Sequence, residues 1–580
     1  MIEGNDHDDD PLAVASGSRG RYPSLGFTAS TLTVRWLAPV AMAGLVMLPR
    51  LASPQFGLLD DGLTLQTGRE VIGRWSSTLH LIPETGRFFP AYWLAYSAIF
   101  ALVGVRPLAF FTVNVLLLAG LLAILARLVR CGGGTSLQAA VAAVLFALCG
   151  PTIESFYTLS KAEPLQLTWI GASLLATAAA AVEARRARRA GLITLAAAAS
   201  LFAHATKETS VVLVPISLGW LAIECWARRE RGPWARFAGT YVVITVVAAA
   251  VFTALRWYYA PLGLAEGTYT RAYALHPGAV GAALFRISAW LVRDFLFLLP
   301  LLTVAVASLV RGRPALRRPI LYACVWMAGW LAVYLPWPAT FEYYLLPFAF
   351  GAAALAGIVV GDAWASRSRP HSVTKRRAAW FVLVASASLW LVAIVNASVD
   401  ARVQLAVDRA NADLVDFLAG LPSRSHVLVN TRVNEYLVEL PMHLSQIKRR
   451  SDIIVEHVTA AARAGPPAAD VFVVTAEMAN KPGPTVRVAL DEPGVRHDNA
   501  MLSAVLTGRG EPVYRAAQHA HLVEFAIHRL LCHAAVSPLT DATYCPNDRG
   551  VIDRRIFSYG WQVHRLMRPA ADRGETRNDS

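Results

Sequence analysis

LITLAAAASLFAHATKETSVVLVPISLGWLAIECW, residues 192–226, holds two apolar runs joined by a charged turn with almost no loop. A soluble helical hairpin would show polar residues every third or fourth position along each run. Here the only strongly polar group is HATKET, at the join, with Glu224 near the far end. The stretch therefore reads as two membrane spans, 190–205 and 209–226, turning at a polar surface. Comparable runs recur through the first 400 positions. The predicted spans are 33–51, 107–126, 137–152, 164–182, 190–205, 209–226, 237–257, 281–310, 320–337, 342–362 and 378–398. A shorter apolar stretch, 89–105, starts around Pro90 and is expected to dip without crossing or to lie along the interface.

Composition agrees. Of 580 residues 55% are apolar and 16% charged, against about 25% charged in soluble domains, and the mean hydropathy is +0.43. The net charge of +14 would suggest nucleic acid as the partner of a soluble protein. In a membrane protein it reflects the Arg and Lys that cytoplasmic loops collect, so no nucleic-acid partner is expected. No cleavable signal peptide is evident. Residues 1–30, with the acidic run Asp6–Asp10, read as a disordered cytoplasmic tail. Arg dominates over five Lys, which hints at a bacterial source.

Charge also sets the orientation. EARRARRA (183–190), RRERGPWAR (228–236), RGRPALRRP (311–319) and SRSRPHSVTKRR (366–377) are strongly basic and each is two spans from the next. All four lie on one side, which the positive-inside rule makes cytoplasmic. Arg19, Arg21 and Arg35 then favour a cytoplasmic N-terminus and eleven crossings. Residues beyond span 378–398 are placed outside. The segments 52–88, 153–163, 204–208, 258–280 and 338–344 all fall on that outer face. Ionisable groups at membrane depth are costly and mark sites or paths.

Those outer segments carry the chemistry. SPQFGLLDDGLTLQTGREVIGRW (53–75) places Asp60 beside Asp61. Adjacent carboxylates raise each other's pKa when partly buried, which would poise one as a base; a solvated Asp-Asp-Gly turn is the plainer alternative. PTIESFYTLSKAEPLQL (151–167) brings Glu154, Lys161 and Glu163 together at a span boundary, where a Lys–Glu pair capping the following helix is the competing reading. In the 204–208 turn, His204, Lys207 and Glu208 sit at or below the interface. Lys207 suits an anionic phosphate, or simply snorkels to headgroups. ETGRFFPAYW (84–93) holds Glu84 and Arg87, the latter a natural partner for a pair of phosphate oxygens; Tyr92 and Trp93 read as an interfacial aromatic belt. PWPATFEYYLLPF (336–348) adds Glu342, Tyr343 and Tyr344 at the outer end of span 342–362, where an aromatic belt is again the plainer reading. No phosphate loop, HExxH motif, nucleophile elbow or zinc spacing is present.

From about residue 401 the pattern changes to alternating helix and strand. Residues 401–420 read as an amphipathic helix, HVLVN (426–430) as a buried strand and 432–446 as a helix. DIIVEHV, VFVVT and TVRVAL follow as strands, and RRIFSYGWQVHRL (554–566) as an edge strand. This predicts a small α/β domain with a mixed sheet over 401–570, then a disordered tail, 571–580. Its expected role is to bind the acceptor or to shield the site as a lid. Cys532 and Cys545, thirteen positions apart in an oxidising compartment, are a candidate disulfide, with two free thiols as the alternative.

The whole layout resembles the GT-C superfamily of membrane glycosyltransferases, in particular the protein O-mannosyltransferases and the aminoarabinose transferases that act on lipid A. The resemblance rests on LLDDGLTL after the first span, on the Pro-aromatic start in GRFFPAYWLAYSAIFALVGVRP (86–107), on about eleven spans with short cytoplasmic loops, and on a soluble C-terminal domain. It implies an α-helical polytopic membrane fold over residues 31–400 carrying the C-terminal α/β domain outside a bacterial inner membrane. It implies transfer of a hexosyl or pentosyl group from a polyprenyl-phosphate donor to a lipid, glycan or protein acceptor, with inversion. By resemblance Asp60 is the general base and Asp61 its alternate or an acceptor-orienting group. Arg87 and Lys207 take the donor phosphate, while Glu154, Lys161, Glu163, His204, Glu208, Glu342 and Tyr344 bind substrate. Relatives differ in whether they need a divalent cation, so Mg or Mn stays open, with Asp60 and Glu154 as candidate ligands. A lipid-substrate transporter or flippase, and an oligosaccharide polymerase or ligase, are the competing readings. Neither an internal repeat nor a large late external loop supports them.

Overall fold

The computed structural model describes residues 29–58, 61–79, 87–227, 232–259, 277–310, 314–337, 341–366, 373–429, 434–457, 470–478, 510–519 and 558–566. Asp60, Glu84, Cys532, Cys545, the strand expected over 485–490 and both chain ends lie outside them.

Fifteen helices precede the first strand among the described residues: α1 Ala29–Ala52, α2 Asp61–Gly73, α3 Pro90–Val103, α4 Pro107–Cys131, α5 Ser136–Ala147, α6 Gly150–Tyr157, α7 Glu163–Val182, α8 Arg186–Thr206, α9 Leu213–Trp226, α10 Pro233–Tyr259, α11 Pro277–Phe295, α12 Leu298–Val310, α13 Pro314–Ala332, α14 Leu346–Ser366 and α15 Val373–Ala419. Short 3₁₀ turns at Glu208–Val212 and Glu342–Leu345 lead into α9 and α14. Every expected span has its helix. By length and hydropathy six of the described helices can cross a bilayer, or up to eight if each bent pair is one span. α8 and α13 begin in the basic turns Arg186–Arg189 and Arg317–Arg318, which lowers their hydropathy.

Two expected spans are not straight. Residues 137–152 form α5 and α6, bent by 58°, with Gly150 and Pro151 opening the second helix. Residues 281–310, expected as one span, form α11 and α12, which meet at 91°. The reason is chemical. Arg293 and Asp294 sit in the middle of that apolar run, and the break turns them into a helix end where partners reach them. α3 has 14 residues, about 21 Å of rise, too short for a hydrocarbon core of about 30 Å. It packs against α2 and α8. Tyr92 and Trp93 are therefore not a belt at the interface. They are buried, packed edge-on and tilted against each other, Phe89 and Tyr96 in one aromatic cluster.

Close helix contact depends on small residues. α14 lies against α5 along FGAAALAG, 350–357. A Cβ on Gly357 would stand 2.5 Å from the Gln138 carbonyl oxygen, and Gln138 Nε2 donates to the Ile358 carbonyl at 2.9 Å. Between helices in lipid, such close approach replaces a hydrophobic driving force.

α15 corrects a boundary. The last span and the amphipathic helix expected after it are one unbroken helix of 47 residues, about 70 Å long. No Pro or Gly interrupts 373–419, so nothing ends the helix at the membrane surface. Its C-terminal half packs on a five-stranded sheet, β1 His426–Val429, β2 Ile454–His457, β3 Val471–Met478, β4 Gly510–His519 and β5 Ser558–Leu566, with α16 (Asn434–Gln446) beside it. The order is β2-β1-β3-β5-β4. β2, β1 and β3 are parallel, and β3, β5 and β4 antiparallel, so the sheet is mixed as expected. β5 is not an edge strand. β4 pairs along its outer side and leaves β5 interior, which explains why Trp561 and Val563 are buried. The core of this unit joins Leu414 and Leu418 of α15, Val427, Leu440, Leu444, Phe472, Trp561 and Val563, and also Leu58, from the segment after α1.

Candidate active site

One end of the helix bundle gathers Asp61, Arg87, Lys161, Glu163, Lys207 and Glu208. α2 starts at Asp61, whose side chain is 4% exposed. Its Oδ2 accepts the Gly57 N–H at 2.7 Å and its Oδ1 accepts the Ser160 hydroxyl at 2.8 Å. Ser160 also bonds Thr64 at 2.8 Å and holds a left-handed backbone, φ 56°. A non-glycine residue in that region is strained. Asn114 of α4 holds the loop before it through the carbonyls of Phe156 and Thr158, at 3.0 and 3.3 Å.

Burial pushes the Asp61 carboxyl up to about 8, and the charges of Asp408 and Glu439 push the same way, against the Gly57 and Ser160 hydrogen bonds. A carboxyl raised in the folded state binds its proton more tightly there than in the unfolded chain. Stability is then greatest below the ordinary carboxylate range and falls as pH rises toward about 8. Asp61→Asn, which cannot ionise, should flatten this slope. Thermal midpoints of both proteins at pH 5 and pH 8 check it; parallel slopes would remove the assignment.

The next residue along the loop, Lys161, opens the second half of the site. Its ammonium lies 4.5 Å from the Tyr343 ring centroid. Lys207, at the end of α8, lies 5.9 Å from the same ring and 4.2 Å from that of Tyr344. Lys207 forms a buried ion pair with Glu163 at the start of α7. Burial pushes its ammonium down to about 8; Glu163 opposes this and the nearby Arg87 adds to it. Arg87 faces Glu208 at 3.7 Å and covers the Phe89 ring at 4.6 Å, while Glu208 Oε1 accepts the Phe88 N–H at 2.9 Å. Gln166 ties α7 to the turn after α8 through Ser210 and Thr209, at 2.8 and 3.1 Å.

His204 and Glu342 make their contacts elsewhere. His204 is fully buried in α8, its Nδ1–H donating to the Ser200 carbonyl at 2.8 Å and its ring against Phe252. That is a packing position in the bundle. Glu342 pairs with Arg293 at 2.6 Å, and Arg293 also holds Asp294 at 3.0 Å and Asp400 of α15 at 2.5 Å. Tyr344 stacks on Tyr334 at 5.1 Å beneath Lys207. Glu154 is half-buried in α6. Among the described residues no group of three or more His, Cys, Asp or Glu is arranged to hold a metal ion.

Sequence reading missed Ser160, the pair Arg50–Asp408, Glu439 with His443, and the Arg293 cluster. Arg50 and Arg293–Asp294 were visible as ionisable residues within or at the end of apolar runs. Nothing local marks Glu439, whose partner is 377 positions away.

The bundle of apolar helices with a small sheet beyond it is a polytopic membrane fold of the GT-C kind, shown by its likeness to a solved structure. The structure of ArnT from Cupriavidus metallidurans bound to undecaprenyl phosphate is similar over 80% of this chain and 95% of that one, with TM-score 0.50 and 16% identity. The oligosaccharyltransferase AglB from Archaeoglobus fulgidus, in complex with an inhibitory peptide and a dolichol-phosphate, matches over 92% and 89%, with TM-score 0.49 and 10% identity. Both are GT-C superfamily members. No protein-family model matches the sequence, and no curated protein does.

Proposed function

We propose that this protein is a membrane glycosyltransferase that moves a sugar from a polyprenyl-phosphate donor to a lipid, glycan or protein acceptor at the outer face. One observation carries the reading. The loop after α6 places Ser160 on the carboxylate of Asp61 and the adjacent Lys161 against Tyr343, beside Lys207. Acid–base chemistry and cation chemistry therefore adjoin. The GT-C fold, shared with a protein solved with undecaprenyl phosphate, supports the donor class.

In the reaction the acceptor hydroxyl oxygen forms a bond to the anomeric carbon, and the bond from that carbon to the phosphate oxygen breaks. The electron pair leaves with the polyprenyl phosphate. Asp60 takes the hydroxyl proton. Asp61, kept neutral by burial, spares Asp60 a second adjacent charge. Arg87, Lys161 and Lys207 stabilise the departing phosphate, whose negative charge grows as the bond breaks. Inversion follows if the acceptor attacks opposite the phosphate, and the transferred group is a hexosyl or pentosyl unit. Each step uses groups of the chain itself.

The same reading places eleven spans in a bacterial inner membrane, with the catalytic module over 31–400, the N-terminus in the cytoplasm and the 401–570 unit outside. The test is transfer of labelled sugar from a panel of synthetic polyprenyl-phosphate sugars by purified protein in lipid. No binding and no turnover across the panel would favour a transporter.

Lys207 gives a separable prediction. Truncating it alone strands Glu163, so the informative variant is Lys207→Met with Glu163→Gln. Donor KM should rise at least about tenfold, the worth of one charge-assisted hydrogen bond. In the wild type donor affinity should weaken as pH rises through about 8, where Lys207 loses its charge. Donor titrations at pH 7 and pH 9 measure both effects. An unchanged KM in the double variant would take Lys207 out of the phosphate site.

A further inference from the structure

The chain folds back on its own acidic segment. Glu439 belongs to α16, in the C-terminal unit, yet its carboxylate meets the first turn of α2. Oε2 accepts the Gly62 N–H at 2.5 Å and Oε1 accepts the Leu63 N–H at 2.9 Å. Both amides belong to the turn that Asp61 opens, where a helix leaves its N–H groups without intrahelical partners. A carboxylate there satisfies two of them and complements the positive end of the helix dipole. Glu439 is 2% exposed, so water does not compete for these bonds.

The contact is built for closeness. A Cβ on Gly62 would lie 2.7 Å from Glu439 Oε2, 2.8 Å from His443 Cδ2 and 3.0 Å from Met442 Cβ. Only glycine lets α16 approach this far. On the other side of the acidic pair, Leu58 is 2% exposed inside the hydrophobic core of the sheet unit. Arg50 and Asp408 then tie the end of α1 to α15 at 2.7 Å. Asp60 and Asp61 are therefore bracketed in the chain by a residue plugged into the C-terminal unit and by two amides held from it.

We propose that Glu439 is a positioning residue for the acidic pair, and that the C-terminal unit acts in the reaction by clamping the start of α2 through it. This rests on the reading of Asp60 and Asp61 as the base pair. The unit is then a structural arm of the catalytic end, in place of a lid that opens and closes over it. A displacement near 1 Å in a reacting group costs about a hundredfold in rate, which is the scale of the expected effect.

The experiment combines turnover with amide hydrogen exchange on the full-length protein in lipid. Glu439→Ala should lower kcat about a hundredfold while donor KM stays within about twofold, because the phosphate-binding cations lie on other elements. Exchange at Gly62 and Leu63 should speed up in the same variant. Glu439→Gln keeps a carbonyl acceptor for one of the two amides and should recover about tenfold of the lost rate. Gly62→Ala should reproduce the Glu439→Ala phenotype from the opposite side of the contact. Unchanged exchange in Glu439→Ala would overturn the clamp. Faster exchange with unchanged kcat, while Asp60→Asn is inactive, would overturn the positioning role. A fall in kcat that Gln does not rescue, joined by a matching loss of folded protein, would reduce Glu439 to a stability residue. Full activity in both Asp60→Asn and Asp61→Asn would remove the base reading and this role with it, while the exchange result would still decide whether the clamp exists.

Discussion

Asp60→Asn should lower sugar transfer by at least about a thousandfold, within the range that loss of a general base produces, and leave the folded protein intact. The substitution keeps the side chain's shape and removes its negative charge and its ability to take a proton. Asp61 is the neighbour against which this is measured. Its carboxyl is buried, bonded to Gly57 and Ser160, and raised to about 8. At neutral pH it is mostly protonated and a poor proton acceptor. On the proposed reading the two carboxyls therefore hold different roles, as paired acids in other active sites do. Asp61→Asn should accordingly cost far less, about tenfold, because Asn keeps the neutral charge but turns one of the two oxygens that accept from Gly57 and Ser160 into a donor. Transfer of labelled sugar from the donor panel, with donor binding measured in parallel, separates the two. If Asp61→Asn were the inactive variant and Asp60→Asn the active one, the roles would exchange. Full activity in both would end the assignment.

Asp408→Ala should be the most destabilising single change at this end of the molecule, by about 3–5 kcal/mol. Arg50 and Asp408 are 1% and 2% exposed and meet at 2.7 Å. Arg50 also donates to the Gln55 carbonyl at 2.9 Å and stacks on Phe111 at 4.0 Å. Gln404 donates to both Asp408 oxygens, at 3.1 and 3.2 Å. Removing the carboxylate leaves a guanidinium out of water with its charge uncompensated, which is the costly outcome for a buried pair. Replacing both residues by apolar ones of similar size, Arg50→Met with Asp408→Leu, should restore most of the loss. Thermal unfolding in detergent gives both values. A single variant as stable as the wild type would mean that water reaches the pair.

Much of this architecture was legible along the chain. Hydropathy located a helix for each expected span, because an apolar run in lipid must satisfy its backbone hydrogen bonds internally and has only the helix available. The charged segments at span ends were legible too, since an ionisable residue beside a span is conspicuous. Less visible was how those charges pair. Lys207 reads alike whether it snorkels to headgroups or binds Glu163, 44 positions earlier. The Arg293–Asp294 pair was absorbed into a 30-residue apolar run, and only the 91° break revealed it as a helix end. β5 looked like an edge because its alternation says which face is buried but not which strand lies beside it. Tyr92 and Trp93 have the composition of a belt, and the packing of α3 on α2 and α8 made them core.

By itself the sequence determined that this is a polytopic membrane protein with a smaller mixed α/β unit after its last span, and that its polar chemistry sits at span ends. These follow from the length, period and charge of contiguous residues, which act locally on the backbone and on its partition between water and lipid. The tertiary structure alone decided that Asp61 is buried and that Lys207 meets Glu163, Arg87 meets Glu208 and Arg293 meets Glu342. It also decided that Leu58 and Glu439 bind the acidic segment to residues far along the chain. Those outcomes depend on desolvation and on contacts between distant segments, and both arise only when helices and sheet pack against one another.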